Sequence, residues 1–214
     1  MKKCLLILAA LTLLMPLALR AQMSQTNSFS GTPNFSGTLV FDKLNAAAAG
    51  WTVTQVVVTS TLNIDGFSLM VTNTSGDTAS VNSYSFGANN RVIIVPIGAT
   101  NVVTAATSAT PGPDLNAHQG MLISGTAEQA SHTWTLTSSN QVSQFLGSGT
   151  FNVTYKAIQE STVSQSGGVQ STLNPSTSWG SVIVNFFYAI PEPSTWAMIG
   201  AASLMFLVLK RRRA

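Results

Sequence analysis

Few side chains in this 214-residue sequence are equipped for chemistry: two histidines (His118 and His132), one cysteine (Cys4) and seven carboxylates. A nucleophilic triad needs a histidine base, an acid to orient it and an exposed serine. Serines abound, but no Gly-x-Ser-x-Gly elbow occurs, and Phe145-Leu146-Gly147-Ser148-Gly149 lacks its spacing. A secreted hydrolase would require His118 or His132 to meet a serine and a carboxylate in a cleft. His132 stands two residues from Trp134 in an alternating run, which marks it as a half-exposed strand residue. His118 follows Asp114 in a proline loop with no third ligand nearby, too few donors for zinc. The turns Asn63-Ile64-Asp65-Gly66 and Ser75-Gly76-Asp77 lack the spaced carboxylates of an EF-hand loop and read as strand terminators. Paired-carboxylate glycoside hydrolysis would have to draw on acids that all lie at turns, loops or strand ends. These residues predict no enzyme, no metal and no cofactor. One binding chemistry remains. Trp51, Trp134 and Trp179, with Tyr84, Tyr155 and Tyr188, carry faces that stack on pyranose rings. In a β-sandwich most of these are core or cross-strand pairs. Trp179, beside Gly180 after a polar loop, is the candidate sugar contact.

The remaining informative residues lie at the two ends. Lys2-Lys3, an apolar run over residues 4–19 and then Arg20-Ala21-Gln22 predict a secretory signal peptide cut after Ala21 by signal peptidase. Cys4 precedes the apolar run, whereas a lipidated cysteine would follow it. At the other end, Pro191-Glu192-Pro193 leads into an apolar run over residues 196–209 and the basic block Lys210-Arg211-Arg212-Arg213. The prolines lack N–H donors and stop a helix from propagating backward. The fourteen apolar residues reach about 21 Å as a helix, against a bilayer core of about 30 Å. That length suits a short, temporary transmembrane helix. Four terminal cations resist translocation and act as the membrane stop. Both apolar segments keep their cations on the cytoplasmic side, which predicts export of everything between them.

The triplet, helix and basic block, in that order, resemble the PEP-CTERM sorting signal of Gram-negative bacteria. The resemblance implies that an exosortase, a membrane-embedded cysteine transpeptidase-like enzyme, recognises Pro191, Glu192 and Pro193 and removes the helix and basic tail. It also implies an inner-membrane precursor destined for the cell surface or an exopolysaccharide-containing matrix.

Charge must be read segment by segment. The whole chain carries a formal +3, but seven of its ten cations lie in the two terminal signals. Between residues 22 and 190, Lys43, Arg91 and Lys156 stand against Asp42, Asp65, Asp77, Asp114, Glu128 and Glu160, a balance of −3. A weakly acidic exported segment argues against nucleic acid as a partner. Its lack of cysteine means that the fold relies on its core, for which about 169 residues suffice in one domain.

The elements that must position these residues are strands. Residues 38–42, 51–59, 67–72, 79–86, 91–95, 101–106, 121–125, 132–137, 150–157 and 182–188 combine β-branched or aromatic residues with alternation or short apolar runs. Turn signals separate most of them. On the 51–59 run, Trp51, Val53 and Val57 are expected on one face. Residues 44–50, with four consecutive alanines, predict one helical turn ended by Gly50. Residues 107–117 read as a loop, and 161–178 as a loop or hairpin tip. The expectation is an all-β, antiparallel β-sandwich of about eight or nine strands, plus an N-terminal signal helix and the C-terminal transmembrane helix. The organisation is a signal peptide (1–21), a loose polar lead-in (22–34), an exported sandwich domain (35–190) and a sorting signal (191–214).

The exported segment also resembles a known family. Phe41-Asp42 precedes the Gly50-Trp51-Thr52-Val53 strand, and Ser68-Leu69-Met70-Val71-Thr72-Asn73-Thr74-Ser75-Gly76 comes after it. With Phe145-Leu146-Gly147-Ser148-Gly149-Thr150-Phe151-Asn152-Val153-Thr154-Tyr155, these are similar to the choice-of-anchor E domain over residues 35–190. That family occurs upstream of bacterial surface-sorting signals and carries no known catalytic residues to transfer. The run Ala46–Ala49 departs from the short loop the resemblance implies after Phe-Asp.

Overall fold

The computed structural model describes residues 19–190. The expected signal helix (but for its last residues), Pro191, Glu192 and Pro193, the transmembrane helix and Lys210 to Arg213 all lie outside the described residues. Among the described residues no helix is long and apolar enough to cross a membrane.

Twelve strands run through the described residues, more than the eight or nine expected: β1 (Leu19–Gly31), β2 (Phe35–Asp42), β3 (Thr52–Ile64), β4 (Ser68–Asn73), β5 (Ala79–Ile94), β6 (Ala99–Ala109), β7 (Asp114–Leu115), β8 (Gly120–Ser124), β9 (Glu128–Leu136), β10 (Thr150–Gln165), β11 (Val169–Asn174) and β12 (Ser178–Ile190). One short helix, α1 (Ser139–Ser143), follows β9. All strand pairings are antiparallel. One sheet has the order β1-β12-β3-β9, a second β2-β10-β5-β6 with β7 against β5, and a third β11-β4-β8. The first two form a sandwich, their inward residues merging in one core with Val56, Val58, Val184 and Phe186 from one sheet and Val92, Ile94, Val153 and Phe41 from the other. Along β10 the alternation holds as expected: Phe151, Val153 and Ala157 are buried and Asn152 and Lys156 exposed.

Four corrections have physical causes. The polar residues 22–31 are not a loose lead-in but most of β1, paired residue by residue with β12. Apart from Phe29, its inward positions carry few large apolar groups because some bond the edge of the opposite sheet. The Gln25 amide accepts from the Asp42 N–H (3.1 Å) and donates to the Asp42 carbonyl (3.0 Å), and Asn27 donates to the Val40 carbonyl (2.7 Å). Residues 79–94 form one strand, not two. The break suggested by Gly87-Ala88-Asn89-Asn90 is bridged because the buried Asn90 donates across the sandwich to the carbonyls of Asn63 and Trp179. Residues 161–178 supply the end of β10, all of β11 and the start of β12, since most of their hydroxyl and amide side chains, Ser176 and Ser178 excepted, sit at exposed or half-buried positions. Finally, β3 changes face midway. Opposite Phe187 and Tyr188 the register skips Thr54. Trp51 and Val53 therefore share the core side with Val56 and Val58, while Val57 faces outward.

The expected helical turn before β3 is a hydrogen-bonded turn over residues 46–50. It closes through Gly50 N–H to Ala47 O (3.2 Å) and Trp51 N–H to Ala46 O (2.9 Å). Gly50 has φ +68°, the left-handed conformation that glycine adopts without a Cβ clash.

Candidate functional site

Two regions hold residues that the sequence singles out: the pole where the ends of the described chain meet, and the outer face of the first sheet. At the pole, β1 begins at Leu19 opposite Ile190, where β12 ends. Ala21, the expected cleavage residue, lies within β1 opposite Tyr188, half-buried. The described chain thus enters and leaves the sandwich on neighbouring strands, at the shared rung Leu19–Ile190. Trp51 closes this pole by stacking on Tyr188, with ring centroids 4.4 Å apart and planes 11° from parallel.

The outer face of the first sheet is built by strand alternation. Its rungs read Ser30–Trp179–Asn63–Gln129, then Ser28–Ser181–Thr61–Ser131, Thr26–Ile183–Thr59–Thr133 and Ser24–Asn185–Val57–Thr135. These four rungs hold no charged residue. Cross-strand bonds tie Thr59 to Thr133 (3.1 Å) and Thr61 to Ser131 (3.4 Å), and Gln22 donates to Asn185 (3.0 Å).

Trp179 is 40% exposed on this face, as the sequence led us to expect, whereas Trp51 and Trp134 are half-buried. Its backbone is fixed from below. Asn90, fully buried in the second sheet, donates to the Trp179 carbonyl at 3.1 Å. Phe29 and Leu62 pack so closely on Gly180 that a Cβ there would meet them at 2.7 and 2.8 Å. From Trp179 to Ile190 the strand runs eleven residues, about 37 Å, so the indole stands far from the pole.

The other singled-out residues stay apart. His132 is exposed on β9 opposite Ser60, with its ring 4.5 Å from that of Trp134. His118 is exposed in the loop before β8, and its N–H donates to the Ser75 carbonyl at 3.2 Å. The carboxylate of Asp114 accepts from Ser80 at 2.6 Å. Asp77 closes its turn, its carbonyl accepting from Asn73 (2.7 Å) and Ser75 (2.9 Å). Among the described residues no three His, Cys, Asp or Glu side chains gather as a metal site.

No family model matches the chain, and no curated protein matches it. Among solved structures it is similar to infectious bursal disease virus of the Gx strain, at 14% identity over 91% of this chain and 48% of the other, with a TM-score of 0.21. The VP2 subviral particle of the same virus matches at 14% identity, 91% and 49% coverage, and a TM-score of 0.19. The chain spans about half the length of the solved chains it matches. At these scores the likeness identifies no relative.

Proposed function

We propose that the chain is an exported, non-enzymatic structural protein of the cell surface or extracellular matrix of a Gram-negative bacterium. A signal peptide directs it across the inner membrane. Residues 191–214 hold it there until an exosortase cuts near Pro191-Glu192-Pro193. The observation that carries this reading is the order of triplet, apolar run and basic block directly after β12. Further support comes from the rung Leu19–Ile190, because a precursor tethered at both ends needs both tethers to leave the domain on one side. Intact mass and fractionation from the native host test the proposal. A mature chain starting near Gln22 and lacking residues 196–214 is expected outside the inner membrane. A chain retaining Lys210 to Arg213 in that membrane would make the tail a permanent anchor and sink the sorting step.

A second reading, a carbohydrate-binding adhesin of the exopolysaccharide matrix, is favoured by one observation: Trp179 is exposed beside uncharged rungs made mostly of hydroxyl and amide side chains. An indole among such groups suits a neutral sugar, whose ring stacks while its hydroxyls find partners. On this reading Trp179→Ala abolishes retention on a neutral glucan matrix in affinity electrophoresis without moving the thermal midpoint by more than about 2 °C, as for a surface change. Unchanged retention excludes Trp179 as the contact.

A further inference from the structure

Of the three cations between residues 22 and 190, two share one rung. Lys156 on β10 lies directly opposite Arg91 on β5, and the rung continues to Ser36 on β2 and Val102 on β6. Both are exposed on the outer face of the second sheet. Like charges directly opposite on a sheet repel at a Cβ separation of about 5 Å and destabilise the pairing. The register supplies no compensation beside them. The flanking rungs read Thr38–Thr154–Ile93–Thr100 and Ile158–Asn89–Thr104. The nearest carboxylate along β10 is Glu160, four residues on, about 14 Å away and beyond a Debye length of about 8–10 Å. A domain of net negative charge thus sets two of its few cations side by side and leaves them unneutralised.

The surface around them is hollow. A depression of about 330 Å³ is lined by Arg91 and Lys156 with Ser36, Thr38, Thr154 and Tyr155. A second, of about 230 Å³, continues along the same strands over Gly87 and Ala106, with Glu160 on its rim. Position 87 on its floor requires glycine, since a Cβ there would come within 2.5 Å of the Ala105 carbonyl.

From this arrangement we infer that the outer face of the second sheet binds an acidic polysaccharide along β5 and β10. Arg91 and Lys156 receive one carboxylate or sulfate, the guanidinium offering a two-pronged donor set and the ammonium a point charge. The hydroxyls of Ser36, Thr38 and Thr154 bond the ring hydroxyls of the same sugar. The next sugar lies over Gly87, where Glu160 accepts from hydroxyls and repels a second anion. The site therefore takes an acidic sugar beside a neutral one and discriminates against a polyanion charged at every unit. This inference is independent of the sorting step and concerns a different face from Trp179.

The test uses the full chain purified in detergent and three probes in titration calorimetry: hyaluronan oligosaccharides, which alternate acidic and neutral sugars, neutral cello-oligosaccharides and a DNA oligonucleotide. Hyaluronan is expected to bind at least tenfold more tightly than either of the others, with affinity falling as salt rises. Arg91→Gln and Lys156→Gln are each expected to weaken it about tenfold, while Arg91→Lys retains more of the affinity. Without ligand the same two Gln variants should melt about 1–3 °C higher, because the repelling rung is relieved. Equal binding of the neutral sugar or of DNA overturns the proposal, and so does undiminished hyaluronan binding by the Arg91→Gln, Lys156→Gln double variant.

Discussion

A Glu192→Ala chain is expected to cross the inner membrane normally and then to remain in it at full length. On the proposed reading, export depends on residues 1–21, which the substitution leaves untouched. On the same reading, recognition depends on the Pro191-Glu192-Pro193 triplet, whose one ionised group is Glu192, the only charged side chain between Glu160 and Lys210. The flanking prolines lack N–H donors and so offer none to a helix or to a strand ladder. A charged contact in an enzyme's recognition cleft has no substitute once the carboxylate is gone, so sorting should fail outright. Immunoblotting of inner-membrane and surface fractions checks this. A band retaining the basic tail in the inner membrane is the expected result, and a surface band of mature size would refute recognition of the triplet.

The largest loss of stability from a single polar residue is expected from Asn73→Ala, about 3–5 kcal/mol. Asn73 is fully buried at the end of β4. Its amide nitrogen donates to the carbonyls of Asp77 (2.7 Å), Leu115 (3.2 Å) and Asn116 (3.0 Å). Its oxygen accepts from the N–H (2.9 Å) and hydroxyl (2.6 Å) of Ser75. One side chain thereby ties the turn after β4 to the segment carrying β7. Alanine strands several of these groups away from water at once. Urea unfolding should show a lower midpoint with an unchanged slope, and a loss under about 1 kcal/mol would mean that backbone bonds alone hold the turns. Asn73→Asp adds a pH test. The oxygen that replaces the amide nitrogen faces three carbonyls, against the two donors of Ser75 on the other oxygen, so the charged form is disfavoured in the folded state and the folded pKa is expected above the unfolded value of about 3.9. The stability that this variant regains is therefore present below about pH 4 and lost as pH rises through the elevated folded value.

How far each strand was legible in the sequence depends on how it is stabilised. Strands that bury an apolar face, such as β10 with Phe151, Val153 and Ala157, announce themselves by alternation, and so does the core half of β12. β1 does not, because Gln25 and Asn27 bond backbone groups where other strands would pack hydrocarbon. β11 hides for a related reason. It is held by its ladder to β4 and exposes Gln170, Ser171 and Thr172 to water. The exposure of Trp179 could be inferred from its polar, glycine-flanked setting. The meeting of Arg91 with Lys156 could not, because residues sixty-five positions apart become neighbours only through the register of two long strands.

The amides of β1 have a consequence for molecules crowded together. An outermost strand with bare N–H and C=O groups templates a strand from the next molecule, and sheets then grow from copy to copy into fibrils. On β2 the carbonyls of Val40 and Asp42 and the N–H of Asp42 are already engaged by side chains of the same molecule. A neighbour approaching that end of β2 finds these ladder groups already taken. Packed at high density, copies of this domain therefore meet an edge that is blocked at the Val40–Asp42 end of β2.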